Sequence, residues 1–289
     1  MSADIDSRQS RARTAILTVL AMTAFAANSL LCRMALADGA IDPGAFALIR
    51  VASGAVTLAA IAWLTQRPVN WRPDWPAASM LAVYLVFFSF AYVGLTAGTG
   101  ALILFGAVQL TMFGTALRAG ERFPPLAWVG LAAAAAGLVI LVAPGVSAPR
   151  PWPAAGMALA GIGWGVYSLM GRGAGDPLAA TARNFLWATL LVAPVGLFYA
   201  GVVTTSGTGV GLALASGVVA SGLGYVIWYA ALAGLTAGSA ATVQLSVPVI
   251  AALGGVALLG ESLTVRLVLA SVISLGGIGL VLARRRTAG

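Results

Sequence analysis

Side chains that could do chemistry are few in this chain, and their types argue against an enzyme. The 289 residues include no histidine and a single cysteine, Cys32, so a transition-metal site of imidazole and thiolate ligands is not expected. The eight acidic residues all fall in a tail or near the end of a long apolar segment. A buried proton relay is therefore not visible, and neither a catalytic residue nor a cofactor is predicted.

Among the polar side chains inside the apolar segments, two arginines and three amides stand out. Arg50 and Arg183 could each attract a substrate carboxylate, because guanidinium pairs well with that group. Each could instead reach an aqueous interface or cap carbonyls of a neighbouring helix. The amides of Asn28, Gln109 and Gln244 could bind a carboxylate and an ammonium group, or they could join helices to one another.

Aromatic side chains recur at helical spacing inside three apolar segments, so each group shares one helix face. The groups are Tyr84, Phe88 and Tyr92, then Trp164 and Tyr167, and then Tyr225 and Tyr229. They could face lipid, or they could line a cavity for a flat apolar or aromatic solute. With the amides they form the predicted substrate-binding set: Asn28, Tyr84, Tyr92, Gln109, Trp164, Tyr167, Tyr225, Tyr229 and Gln244.

Residues that loosen helices occur in two of the segments. Gly98, Gly100 and Gly106 lie early in one segment, and Pro248 lies inside another. Proline removes a backbone donor and kinks a helix. We predict that both segments bend when the protein changes conformation.

The composition indicates that these segments are transmembrane helices. Only 8% of the residues are charged and 60% are hydrophobic, whereas soluble domains carry about 25% charged residues. The apolar runs are about twenty residues long, enough for a helix to cross the hydrocarbon and too long for a strand of a barrel. An all-α membrane protein with ten transmembrane helices is predicted, at 14–36, 43–64, 75–95, 98–118, 124–143, 152–172, 177–200, 208–233, 238–259 and 264–283.

The arginines predict the orientation of the helices, because cytoplasmic loops are enriched in basic residues. With the N-terminus inside, only Arg33, Arg150 and Arg266 fall outside. Eleven arginines fall inside: Arg8, Arg11, Arg13, Arg67, Arg72, Arg118, Arg122, Arg172, Arg284, Arg285 and Arg286. We therefore expect an even number of spans and cytoplasmic termini. Because the arginines are scattered singly between apolar runs, a nucleic-acid partner is not expected.

The sequence also repeats itself. Shifted by 140 residues, Thr96–Glu121 aligns without a gap on Thr236–Glu261, and each segment ends in Gly-Glu. At nearly the same offset Asp42-Pro43 matches Asp176-Pro177. We predict two five-helix repeats, at 14–146 and 147–284. Because five is odd, the second repeat enters the membrane from the opposite side, which is an inverted repeat with a site between its halves.

The Gly-Glu pairs, followed by helices that contain Gly137 and Gly277, resemble the EamA family of the drug/metabolite transporter superfamily. Phe105–Met112, together with Asn28-Ser29, resembles the YddG-type exporters of aromatic amino acids. The resemblance implies a transporter of the bacterial cytoplasmic (inner) membrane, with the lipid bilayer and a small-molecule substrate as its partners. Drugs, nucleosides, purines and other amino acids stay open as substrates, and a membrane receptor or scaffold is the alternative class; no oligomeric state is predicted.

Overall fold

Ten helical spans cross the bundle in a computed structural model that describes residues 2–145, 147–171, 174–199 and 205–285. Arg172 and Arg286, two of the arginines counted above, lie outside these residues. No strand occurs in the described part of the chain. The spans are α1 Ser2–Ala37, α2 Pro43–Leu64, α3 Trp75–Tyr92, α4 Ala97–Arg118, α5 Pro125–Val142, α6 Pro151–Met170, α7 Pro177–Tyr199, α8 Gly207–Leu232, α9 with segments Ala237–Val243 and Ser246–Leu259, and α10 Val265–Arg285.

The repeated sequence elements are helix caps. Asp42 caps α2 by accepting the backbone N–H groups two and three residues further on, at 2.7 and 3.4 Å. Asp176 does the same for α7 at 3.0 and 3.2 Å. Thr96 and Thr236 cap α4 and α9 through their hydroxyls. Side-chain caps satisfy backbone donors that a helix leaves free at its first turn, so the same residues start equivalent helices in both halves.

Nine of the described helices are long and apolar enough to cross a membrane. The sixth, α6, is not among them, because glycine, proline and aromatic residues lower its mean hydropathy. This helix packs against α3 and α4. Much of its surface is therefore covered by protein rather than lipid, and the predicted all-helical membrane fold is confirmed.

The helix packing repeats with an offset of five spans. Helix α1 packs on α8 and α9, and α6 packs on α3 and α4. The equivalent helices α2 and α7 pack on each other, as do α5 and α10. This pattern is the one expected of the predicted inverted repeat, which stays a prediction.

Two spans depart from a regular α-helix. Helix α8 has a π-helical segment from Ser216 to Leu223. Span α9 is interrupted at Gln244 and Leu245, just before Pro248. Pro248 lacks an N–H for the carbonyl of Gln244, and that carbonyl accepts the N–H of Val247 instead, at 3.1 Å. The ninth span predicted at 238–259 is thus present, and its interruption lies beside the proline from which the sequence predicts a kink.

Helix α4 is continuous, and close packing accounts for the three glycines singled out from the sequence. A Cβ atom on Gly98 would lie 2.7 Å from that of Ala252. At Gly100 it would meet the Tyr92 ring at 2.5 Å, and at Gly106 the Leu138 side chain at 2.7 Å. Such approaches are available only to glycine. Bending of α4 and α9 during transport stays a prediction.

Neighbouring glycines of α10 allow a matched test of the α5–α10 packing. A Cβ atom on Gly277 would collide with the carbonyl oxygen of Gly130, whereas one on Gly276 meets nothing within 4 Å. We expect Gly277→Ala to destabilise the protein by about 1–3 kcal/mol through overpacking. Gly276→Ala should be neutral or slightly stabilising, because alanine favours the helix. Thermal unfolding in detergent measures both, and equal unfolding temperatures would contradict the close packing.

Candidate functional site

A central cavity of about 720 Å³ lies between the two halves of the bundle. Its walls come from α1, α3, α4, α6, α7, α8, α9 and α10. Eight of the nine predicted substrate-binding residues line it, although they come from distant parts of the sequence: Asn28, Tyr84, Gln109, Trp164, Tyr167, Tyr225, Tyr229 and Gln244.

Tyr92 is the predicted binding residue that does not line the cavity. Its ring is fully buried and packs on Phe88, with centroids 4.8 Å apart. Its hydroxyl donates to the carbonyl of Ala97 at 3.3 Å. Tyr92 therefore supports the cavity wall from behind, because α3 turns this residue toward the start of α4.

Aromatic rings form a continuous wall around Trp164. Its centroid lies 5.0 Å from that of Tyr84, 5.5 Å from that of Tyr167 and 5.6 Å from that of Tyr225. Phe25 extends the wall, 5.8 Å from Tyr225. Ring pairs at these separations are favourable and present flat apolar surface. The wall thus suits a solute with an aromatic or apolar body.

Several lining residues were missed by sequence reasoning. Phe25 and Trp228 each lie three residues from a predicted site residue on the same helix, a spacing that could have identified them. Thr181 and Asn184 of α7 also line the cavity, and the hydroxyls of Thr181 and Tyr229 lie 2.6 Å apart. Only the packing of α7 against α8 reveals the role of Thr181.

Arg50 lies fully buried directly behind the aromatic wall. Its Nη2 donates to the Tyr84 hydroxyl at 2.8 Å, and its Nε donates to the Ser221 hydroxyl at 3.3 Å. Its guanidinium carbon lies 4.7 Å from the centroid of the Phe88 ring and 5.3 Å from that of Tyr84. Cation–π contacts and hydrogen bonds thus hold the charge in place.

The π-helical segment of α8 completes this buried polar network. The Asn28 amide donates to the carbonyl of Ala220 at 3.2 Å. Its oxygen accepts from the hydroxyls of Ser216 at 2.8 Å and Ser221 at 3.3 Å. Residues five apart face different directions on an α-helix but similar ones where hydrogen bonds run from i to i+5. The π segment therefore lets both serines reach Asn28.

Arg183, in contrast, has an acidic partner. Its Nη2 lies 3.0 Å from Oδ2 of Asp74, and its Nε donates to Oδ1 of Asn184 at 3.2 Å. The pair ties α7 to the first turn of α3. Of the two interpretations open from the sequence, these contacts favour the structural one for Arg183.

The two ends of the cavity differ. We call the end of the bundle where α1 begins and α10 ends the terminal end, and the other the distal end. The cavity reaches Gly171, Ala174 and Pro177 in the α6–α7 connection, at the terminal end. Among the described lining residues, none belongs to a connection at the distal end. Among the described residues, the cavity therefore extends to the surface connections at the terminal end.

An ion pair closes the distal end. Nε of Arg33 lies 3.0 Å from Oε1 of Glu261, joining the end of α1 to the end of α9. Oε2 of Glu261 accepts the N–H of Ala97 at 2.8 Å, and Nη1 of Arg33 donates to the carbonyl of Tyr92 at 3.1 Å. The junction thus links α1, α9 and the α3–α4 connection above the cavity.

An ion pair at the terminal end joins the α2–α3 and α6–α7 connections. Arg67 and Asp176 lie 2.9 Å apart. Burial alone would raise the pKa of Asp176, but hydrogen bonds from the Ala179 N–H and the Arg67 guanidinium outweigh it and lower the pKa. The pair therefore persists at neutral pH and is lost only as the pH falls through this lowered pKa.

Comparison with known proteins identifies the family. The EamA-like transporter family model matches residues 151–283. An uncharacterized protein from Pseudomonas aeruginosa is 53% identical over 274 residues, which cover 94% of this chain and 96% of the relative. Residues 151–283 therefore belong to the EamA-like transporter family. A solved structure titled "Crystal structure of protein" has a TM-score of 0.66 at 22% identity, covering 92% of this chain and 97% of that one, and it shares the fold.

Membership in the EamA-like transporter family makes the chain a multi-pass membrane transporter. The family predicted from the Gly-Glu pairs is confirmed. Glu261, which ends the second of those pairs, joins the distal junction in the structure. The narrower resemblance to exporters of aromatic amino acids stays a prediction.

Two alanines of α7 allow a test of the cavity's accessibility. Ala180 lines the cavity, whereas Ala188 is fully buried and does not. In a Cys32→Ala background, which removes the single cysteine, we expect Ala180→Cys to react with a small water-soluble maleimide at least tenfold faster than Ala188→Cys. Reactivity requires access of the reagent to the thiol. Equal rates, measured by mass spectrometry in detergent, would contradict an open cavity.

Proposed function

We propose that this EamA-like transporter exports small amphipathic solutes, foremost aromatic amino acids, from the bacterial cytoplasm. The observation that carries the proposal is the central cavity, whose aromatic wall faces amide side chains. Its volume of about 720 Å³ is within the range of small-molecule sites, roughly 300–1,000 Å³. The rings around Trp164 suit an aromatic side chain, and the amides of Gln109, Asn184 and Gln244 suit the charged groups of an amino acid.

The arrangement of the halves supports alternating access. Two inverted halves with equivalent packing can exchange conformations, so that a cavity open at one end becomes open at the other. The arginine distribution supports a cytoplasmic position for the terminal end. In this proposal the structure is an inward-open state, and the ion pair between Arg33 and Glu261 must break before a solute leaves at the distal end.

A facilitated mechanism fits the chemistry of the cavity best. No described lining residue is acidic, basic or a histidine. Intramembrane ionisable groups are the usual means by which transporters couple to protons. We therefore propose that the substrate gradient drives transport, and that a proton gradient is not required.

Uptake into proteoliposomes tests this function. Purified protein is reconstituted and supplied with labelled tryptophan and phenylalanine, beside a panel of nucleosides, purines, cationic drugs and aliphatic amino acids. We expect aromatic amino acids to enter faster than the panel and uptake to persist with a protonophore. Empty liposomes and protein inactivated by heat are the controls. Uptake of a panel member but of no aromatic amino acid would refute the substrate, and abolition by the protonophore would refute facilitation.

Pro248 provides a test of bending. Pro248→Ala restores a backbone N–H at position 248. The carbonyl of Gln244 then has the donor that a regular α-helix supplies, so α9 becomes more nearly continuous. We expect the transport rate to fall several-fold with little change in substrate affinity. Gly106→Leu should also lower transport, but by forcing α4 away from Leu138 of α5.

The matched control for α4 is Gly114→Leu, because a Cβ atom on Gly114 meets nothing within 4 Å. It should transport at the normal rate. Unchanged transport by Pro248→Ala, at normal expression and stability, would show that α9 does not need its interruption.

A further inference from the structure

The charge of Arg50 is not balanced by any acidic group within the described residues. Three ion pairs occur there, and they use Arg33, Arg67 and Arg183. Arg50 is only 1% exposed, and its hydrogen-bonding partners are two neutral hydroxyls. Its Nη1 is buried and has no hydrogen-bond partner in the described structure. A charge removed from water without a counter-ion is costly unless something else compensates it.

This charge acts on the cavity through Tyr84. The Tyr84 hydroxyl accepts from Nη2 of Arg50 at 2.8 Å, so its own O–H is left able to donate. Tyr84 and Phe88 line the cavity, and the guanidinium lies directly behind both rings. A donor polarised by a neighbouring cation is a stronger donor, especially where the dielectric is low.

The rest of the cavity leaves this positive potential unopposed. Its described lining contains aromatic rings, amides, hydroxyls and aliphatic groups but no carboxylate. Arg183, the arginine of α7, is paired with Asp74 and adds little net charge. An anionic group on a solute would therefore be stabilised beside Tyr84, and a cationic group would be repelled.

We propose that Arg50 makes the cavity select solutes that carry a carboxylate on an aromatic or apolar body and reject organic cations, with the Tyr84 hydroxyl donating to the carboxylate. This inference rests on the proposed function for the location of the site and deepens it by assigning the substrate's charge. Arg50 is a positioning residue here, because it contacts Tyr84 and does not line the cavity.

Ligands that share a phenylethyl body and differ in their charged groups test the proposal directly. The probes are 3-phenylpropionate, which is an anion, phenylalanine, which is a zwitterion, and phenethylamine, which is a cation. Ligands that bind the folded state raise the unfolding temperature, so binding is measured on purified protein without any need for transport. We expect the anion and the zwitterion to raise the unfolding temperature of the wild type and the cation to have no effect.

Variants then assign the selectivity to Arg50. Arg50→Gln should reduce the preference for 3-phenylpropionate over phenethylamine by about tenfold or more, as expected for a unit charge acting at close range in a partly buried site. Arg50→Lys keeps the charge and should retain most of the preference. Tyr84→Phe should weaken binding of the anion without admitting the cation. Arg183→Gln is the matched control and should leave the preference unchanged.

The outcomes separate this inference from the proposed function. If anions stabilise the wild type but not Arg50→Gln, and proteoliposomes transport no aromatic amino acid, the charge assignment stands and the transport proposal fails. If Arg50→Gln weakens binding of all three probes by the same factor while Arg50→Lys restores all three equally, Arg50 is structural and the inference is wrong. Equal binding of anion and cation by the wild type, or binding of neither probe, also overturns it.

Discussion

The centre of this bundle depends on one guanidinium that is buried without a carboxylate partner. Arg50 must be compensated by hydrogen bonds and ring faces, because burying an unpaired charge is otherwise costly. That requirement explains why Tyr84 and Phe88 pack around it and why Ser221 reaches it from α8. Helices α2, α3 and α8 thus meet at one polar cluster, and that cluster forms the back wall of the cavity.

The distal end of the bundle is also held by a small set of polar side chains. At the distal end, Arg33 and Glu261 form an ion pair and make hydrogen bonds to three backbone groups. The two side chains therefore hold several helix ends together. The interruption in α9 lies where the sequence predicts that this span bends.

Much of the site was predictable because helical spacing alone defines a face. Eight of the nine proposed binding residues line one cavity, and each of the aromatic groups was found from spacings of three or four residues. Tyr92 shares the face of Tyr84 and Phe88, yet it lies one turn too far along α3 and packs behind the wall. The π segment of α8 was missed because its Ser, Gly, Val and Ala residues read as an ordinary apolar helix.

The sequence by itself determined the helical membrane fold and the positions of nearly every span. These follow from local chemistry: apolar runs must become helices in lipid, and Asp-Pro and Thr caps start them. Only the tertiary structure decided how the two mid-span arginines differ. Arg183 meets Asp74 from another helix, whereas Arg50 meets only hydroxyls and rings. The partners of each arginine lie more than thirty positions away in the sequence and meet it only in the folded protein. Spacing within one helix carries no information about such partners.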